Sequence, residues 1–175
     1  MHRVERAAEN FLQELNVSTP PVDVEKISEA FGVTVKPMDV KERVSGVLVL
    51  KNDKATVGYN RMDALVRQRF TIAHELGHYA LHRDAMQLFV DEGYAVAYRD
   101  SRSSSGDVRR EREANAFAAA ILMPKYLVEK EVEKLDFDLG SDDALATLAD
   151  RFDVSTQAMA YRLANLGIFS HDDYV

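Results

Sequence analysis

Two histidines and a glutamate follow the pattern His-Glu-x-x-His at His74, Glu75 and His78. In a helix, residues four apart lie about 40° apart around the axis, so both imidazoles can reach one metal ion. Glu75 lies about 100° from His74, where its carboxylate can take a proton from a metal-bound water without binding the metal. The spacing therefore predicts a zinc-dependent hydrolase.

The residues around the motif are apolar at helical spacing, including Phe70, Ala73 and Leu76. A helix of this kind is buried on most sides, and two core histidines without partners would be costly. A metal ion bound by both rings removes that cost. The alternative is a solvated helix whose histidines face water. Gly77 lowers helix propensity and predicts that another backbone packs closely there.

Composition limits the chemistry of the site. The chain has 175 residues, 46% of them hydrophobic, and no cysteine. A folded core is expected without disulfides, and thiolate metal sites and cysteine catalysis are excluded. A transition-metal site must use His, Asp or Glu, which favours Zn²⁺ and leaves Mn²⁺ as an alternative.

Charge and hydropathy indicate the class of partner. The formal net charge of -7 opposes attraction to nucleic acid, so direct DNA binding is disfavoured and a protein partner is favoured. No apolar run is long enough to span a bilayer, and the first six residues resemble a charged amphipathic helix rather than a secretory signal. We expect a cytoplasmic protein without a membrane interaction.

Hydrophobic periodicity predicts an α+β fold: a mostly helical core with a small sheet of about three strands, mixed or antiparallel. Strands are predicted over 33–36, 44–50 and 55–59, with a hairpin turn at 52–54. The metal motif lies on a long helix from Asn60 to about 82. Further helices are predicted over 4–15, 23–31, 108–122, 124–135, 142–152 and 156–166. The Ser-rich patch over 100–107 is expected to be a surface loop.

A catalytic zinc ion generally has three protein ligands, so a third must come from elsewhere in the chain. Two candidates, Glu111 and Glu113, lie at the start of an apolar, alanine-rich helix. Glu113 shares a face with Ala116, Phe117 and Ala120, which favours it over Glu111 as the inward-pointing carboxylate. The alternative is a salt bridge from Glu113 to a neighbouring arginine.

Two more residues are candidates for a supporting role. His82 continues the histidine face, but a straight helix rises about 6 Å per four residues, so a third coordinating ring is disfavoured. We expect His82 to support a ligand or contact substrate, or else to be a half-exposed residue at the helix end. Tyr161 is one of several tyrosines that could stabilise the oxyanion of a hydrolysis intermediate.

The motif at 70–78, followed by 111–119 and by Leu122, Met123 and Pro124, resembles the ImmA/IrrE family of metallopeptidases. The resemblance also includes Gly46 and 57–60, and covers about 20–125. It implies a minimal thermolysin-like core in which His74, His78 and Glu113 bind zinc and Glu75 is the general acid/base. It also implies cleavage of repressor-type transcription factors in stress responses or mobile elements.

The same resemblance implies a helix-turn-helix-like segment over 148–167. We therefore expect a metallopeptidase core over 1–135 and a helical subdomain over 136–175 packed on it. The expected function is zinc-dependent endopeptidase, with a helix-turn-helix repressor as the protein substrate. The alternative is a metal-binding regulatory or interaction protein, such as a helix-turn-helix regulator or toxin-antitoxin component, with little protease activity.

Overall fold

A computed structural model describes residues 2–39, 45–83, 90–91, 94–96, 105–135 and 142–168. The helices are α1 (His2–Glu14), α2 (Val24–Ala30), α3 (Leu65–His82), α4 (Ser105–Leu122), α5 (Lys125–Val132), α6 (Asp142–Phe152) and α7 (Thr156–Leu166). The strands are β1 (Val33–Met38), β2 (Gly46–Lys51), β3 (Lys54–Asn60), β4 (Val90–Asp91) and β5 (Tyr94–Val96). The predicted α+β class is confirmed.

The sheet is mixed, with the order β1-β3-β2-β5-β4. β1 runs parallel to β3, while β2 and β3 form an antiparallel hairpin. Its turn is made by Asn52 and Asp53 with φ of 48° and 61°, a left-handed conformation that these two residue types tolerate. The three predicted strands are β1, β2 and β3, and the short strands β4 and β5 extend the sheet beside β2.

Helix α3 lies at the centre of the fold. Residues 71–78 are all buried, and their neighbours include α4 on one side and strands β2 and β3 on another. The helix begins at Leu65 rather than at Asn60, because Asn60 ends β3 and its side-chain oxygen accepts a hydrogen bond from the Met62 amide. The metal motif is therefore held between the sheet and a second helix.

Most predicted helix boundaries agree with the structure. Ser155 caps α7 by accepting from the Ala158 amide, and Gly167 ends it with φ of 71°. Helix α6 has the predicted bounds, and α4 begins three residues earlier than predicted. Of the Ser-rich patch, residues 100–104 lie outside the described part of the chain.

Helices α6 and α7 share the main hydrophobic core. Leu148, Phe152, Met159 and Leu163 are buried in the same cluster as residues of α1, α3 and α4. The predicted division at 135/136 stays a prediction. Among the described helices, none is both long and apolar enough to cross a membrane.

Candidate metal centre

Helix α3 brings His74 and His78 together on one face. Both residues are 7% exposed, and their ring centroids lie 4.7 Å apart with a near-perpendicular orientation. Their Nε2 atoms are 3.1 Å apart. The two nitrogens therefore point to the same small region, as the four-residue spacing predicts.

Helix α4 contributes a carboxylate to this region. The Nε2 of His78 lies 3.1 Å from Oε1 of Glu111, and the Nε2 of His74 lies 3.5 Å from Oε2. The Glu111 side chain is 38% exposed, so the group is buried on the histidine side and open on the carboxylate side. The three residues offer ligand atoms that all lie within 4.8 Å of one another.

The other nitrogen of His74 has its own partner. Its Nδ1 lies 2.8 Å from Oδ1 of Asn115, one turn after Glu111 on α4. A hydrogen bond to a carbonyl oxygen requires the proton on Nδ1, which leaves a lone pair on Nε2 facing His78 and Glu111. Asn115 thus fixes both the ring orientation and the tautomer that a metal ligand needs.

A close helix crossing makes these contacts feasible. A Cβ placed on Gly77 would lie 3.1 Å from both the Cα and the carbonyl oxygen of Ala114, and 3.2 Å from the Cβ of Phe117. The close packing predicted at Gly77 is therefore present, and α4 is the element that supplies it. Since His74 faces Asn115 and His78 faces Glu111, the two helices run antiparallel across this contact.

Glu75 points to a different neighbour. It is 7% exposed, and a Cβ on Gly46 would lie 3.4 Å from its Cγ and 2.2 Å from Cγ2 of Thr71. Gly46 is the first residue of β2, so only a residue without a side chain allows this strand to begin so close to α3. The buried side chain of Glu75 therefore passes beside the start of β2.

The structure does not bring Glu113 to the two histidines. Its Oε1 accepts a hydrogen bond from Nε of Arg109 at 2.9 Å, and its Oε2 lies 3.5 Å from Nε2 of His82. The hydrogen bond from Arg109 lowers the pKa of Glu113. Two residues turn a helix by about 200°, so Glu111 and Glu113 cannot both point at His74 and His78. The position expected for Glu113 is occupied by Glu111.

His82 lies beside this group. It is 9% exposed, its ring centroid is 6.0 Å from that of His78, and its Nε2 has no hydrogen-bond partner among the described residues. Burial lowers the pKa of His82, and the neighbouring Glu113 carboxylate opposes that shift. Tyr161, by contrast, is 65% exposed on α7, and no contact described in the structure joins it to the histidines.

Comparison with known proteins gives the family of the chain. The sequence model of the Peptidase M78 family, described as the IrrE N-terminal-like domain, matches residues 28–164. The chain belongs to this family. The matched region includes His74, His78 and Glu111, which we call the metal group. It continues through α6 and most of α7, so the helix pair belongs to the region shared with other members of the M78 family.

One similar member is metallopeptidase ImmA of Bacillus subtilis strain 168, 29% identical over 128 residues, which are 72% of this chain and 68% of that protein. Among solved structures, a Mycobacterium tuberculosis transcriptional regulator has a similar fold, with a TM-score of 0.65 and 23% identity. The similarity covers 94% of this chain but only 47% of the regulator, so the chain spans about half its length.

The donor set of this M78 member fits a tetrahedral metal ion. Bonds of 2.0–2.1 Å to a tetrahedral ion place neighbouring ligand atoms about 3.3 Å apart. The two Nε2 atoms are 3.1 Å apart, and the Glu111 carboxylate lies 3.1 Å from that of His78 through Oε1 and 3.5 Å from that of His74 through Oε2. Two imidazoles and one carboxylate are ligands that zinc and related transition metals accept.

Proposed function

We propose that the chain is a zinc-dependent endopeptidase with His74, His78 and Glu111 as metal ligands and Glu75 as general acid/base. The observation that carries this proposal is the approach of both imidazoles to one carboxylate. The two Nε2 atoms lie 3.1 Å apart, that of His78 lies 3.1 Å from Oε1 of Glu111, and that of His74 lies 3.5 Å from Oε2. Glu111 replaces Glu113 as the third ligand. Three protein ligands leave one tetrahedral position for water or substrate, which distinguishes a catalytic site from a closed structural site.

When bound, zinc would lower the pKa of a water molecule towards neutrality and polarise the scissile carbonyl. Glu75 takes the proton from the attacking water and returns it to the leaving amine. Its place next to His74 in the sequence and the packing of its Cγ beside the start of β2 support this role. Asn115 keeps the Nε2 of His74 free of a proton.

Of the two supporting residues expected from sequence, the geometry favours His82. Its buried Nε2 lies next to Glu113 and one helical turn beyond His78, where it can contact a bound substrate or support the ligand face. The exposure of Tyr161 gives no support for a role in stabilising the oxyanion.

We further propose a protein substrate, specifically a helix-turn-helix repressor. The net charge of -7 supports a protein partner over nucleic acid, because phosphate contacts require a basic surface. The relation to metallopeptidase ImmA supports peptide-bond hydrolysis. The competing function is a metal-binding regulator with little protease activity. We weigh it because the fold is similar to that of a transcriptional regulator.

Four variants test the proposal, and two of them, Glu111→Gln and Glu113→Gln, form a matched pair on α4. We expect Glu75→Gln to keep stoichiometric zinc and to lose cleavage of helix-turn-helix repressors that the wild type cleaves. Glu111→Gln should lose zinc, whereas Glu113→Gln should keep it. His78→Ala, which removes an imidazole ligand, serves as the positive control for metal loss. Metal content is measured after dialysis, and cleavage is followed by mass spectrometry.

The results separate the alternatives. Loss of zinc in Glu113→Gln but not in Glu111→Gln would overturn the ligand assignment. If the wild type binds zinc but leaves every repressor tested intact, as Glu75→Gln does, the regulatory function is favoured over the peptidase.

A further inference from the structure

A cavity of about 250 Å³ lies on the side of α3 opposite the metal group. Leu65, Arg69 and Ile72 of α3 line it, together with Tyr59 of β3. Leu65 and Ile72 lie about 160–180° around the helix from His74, so the cavity is separate from the metal group. Its rim includes Glu25 of α2 and Asp153 between α6 and α7. We call this feature the corner cavity.

The size of the corner cavity indicates what it can hold. Sites for drug-sized ligands usually occupy about 300–1,000 Å³, so a volume of about 250 Å³ suits one or two side chains better than a whole small molecule. Leu65 at its edge is 74% exposed, and Met62, three residues earlier in the turn before α3, is 82% exposed. Exposed apolar side chains beside a cavity are typical of a protein-binding surface.

The only arginine among the lining residues is not available to an anion. The Arg69 guanidinium donates to the carbonyl oxygens of Val22 at 2.9 Å and Asp153 at 3.2 Å. Burial lowers the pKa of Arg69, and the nearby carboxylates of Asp153 and Asp23 oppose that shift. The Arg69 guanidinium therefore has partners within the fold, and its hydrogen bonds join α3 to the turn between α6 and α7.

The accessible charges at the corner cavity are mainly negative. Asp23 is paired with Lys26 at 3.4 Å. Glu25 and Asp153 lie on the rim and are exposed, although the Asp153 carboxylate also lies near the Arg69 guanidinium. From Asp153 an acidic strip continues along α6, where Asp143 and Asp150 are exposed and, seven residues apart, share one face. A cavity with apolar residues on one wall and acidic residues on its rim is complementary to a segment with an apolar side chain and neighbouring lysines or arginines.

We propose that the corner cavity is a docking site for a basic segment of a protein partner. An apolar side chain of that segment fills the cavity beside Leu65, and its basic residues contact Glu25, Asp153 and the strip on α6. The identification of this partner as the substrate rests on the proposed peptidase function. Docking behind α3 then selects the substrate, while the metal group determines the chemistry.

A binding experiment tests docking without hydrolysis. The protein is the full chain carrying Glu75→Gln, treated with EDTA. The probe is a fluorescein-labelled ten-residue peptide with two central leucines flanked by arginines, and the control probe has serines in place of leucines. Binding is measured by fluorescence anisotropy at physiological salt. We expect the leucine peptide to bind about tenfold more tightly than the serine peptide, corresponding to about 1.4 kcal/mol.

Matched variants locate the binding site. Leu65→Ser should weaken binding of the leucine peptide about tenfold and leave binding of the serine peptide unchanged. Leu15→Ser, an exposed leucine at the end of α1, should change neither. Asp150→Asn together with Asp153→Asn should weaken binding of both peptides. Unfolding curves of the Leu65 and Leu15 variants show whether each remains folded.

Two results would overturn the proposal. Equal effects of Leu65→Ser and Leu15→Ser, or no preference for the leucine peptide, would each exclude docking of this kind. Because the probe is tested on inactive, metal-free protein, failure of docking is distinct from failure of the peptidase proposal, which zinc content and repressor cleavage decide.

Discussion

At the scale of single residues, the orientation of His74 depends on Asn115. The hydrogen bond between Nδ1 and Oδ1 is 2.8 Å long and keeps Nε2 facing His78 and Glu111. We expect Asn115→Ala to weaken zinc binding about 10- to 100-fold, because the ring loses its fixed tautomer and orientation. Asn115→Asp should retain tight binding, since a carboxylate also accepts from Nδ1. A chromophoric chelator in competition gives the affinities.

The control for this prediction is Asn165→Ala, which removes an exposed asparagine from α7 and should leave zinc affinity unchanged. If Asn115→Ala binds zinc as tightly as the wild type, the contact does not support the ligand, and the orientation of His74 must come from packing alone.

The same contact shows why the sequence predicts that the two histidines lie together but not which carboxylate lies beside them. His74, Glu75 and His78 have a fixed relation within one helix, so their spacing alone predicts their geometry. The choice between Glu111 and Glu113 depends on how α4 rotates against α3, and its alanine-rich surface gives little periodicity. Asn115 could have indicated the choice, because it is a lone polar residue in an apolar helix. It lies one turn after Glu111 and therefore on the same face of α4 as Glu111.

At the scale of helices and strands, the crossing of α3 and α4 sets the geometry of the metal group. Gly77→Ala adds a Cβ only 3.1 Å from the Ala114 backbone. Alanine improves helix propensity by about 1 kcal/mol, whereas overpacking a tight contact costs about 1–3 kcal/mol. We expect the free energy of unfolding to fall by about 1 kcal/mol and zinc affinity to fall as α4 moves away. Urea unfolding of the metal-free protein and chelator competition measure the two effects.

A rise in stability with unchanged zinc affinity in Gly77→Ala would show that α4 can move without affecting the ligands. In that case the close approach is not what positions Glu111.

A second prediction concerns the contact between α5 and α6. Glu131, 6% exposed, accepts hydrogen bonds from Lys134 and Arg151. The hydrogen bond from Lys134 lowers the pKa of Glu131 below its usual value of 4.5, and the hydrogen bond from Arg151 adds a smaller shift in the same direction. A lowered folded-state pKa means that the stabilisation is present above the unfolded-state value and is lost as pH falls through the folded-state value.

We therefore expect Glu131→Gln to cost about 1–3 kcal/mol of stability at pH 7 and progressively less as the pH falls below about 4.5. Glu129→Gln on the same helix is the matched control. Its pair with Lys125 is 3.7 Å long and half-exposed, so its loss should cost under about 0.5 kcal/mol. A cost for Glu131→Gln that stays constant down to acid pH would contradict the ionic origin of the contact. Urea unfolding at several pH values provides the comparison.

At the scale of the whole molecule, α6 and α7 are attached to the core by contacts that no local pattern reveals. Arg162 is 3% exposed, and its Nε donates to the carbonyl oxygen of Met123 at 2.8 Å while its guanidinium also binds Glu5. This one side chain joins α7 to α1 and to the end of α4. Periodicity predicted the bounds of α6 and α7, but a partner 157 positions away in sequence follows only from tertiary packing.

These attachments predict how the protein unfolds. Since the α6–α7 pair shares one core with α3 and α4, release of zinc and loss of helix should have the same denaturant midpoint. We expect Arg162→Ala to lower the free energy of unfolding by about 3–5 kcal/mol, because it leaves the Met123 carbonyl and Glu5 without a buried partner. Arg61→Ala breaks an exposed pair with Asp39 and should cost under about 1 kcal/mol. Circular dichroism and a zinc-sensitive dye follow the two transitions. Separate midpoints in the wild type, or equal costs for the two arginine variants, would mean that the helix pair folds independently of the metal-binding core.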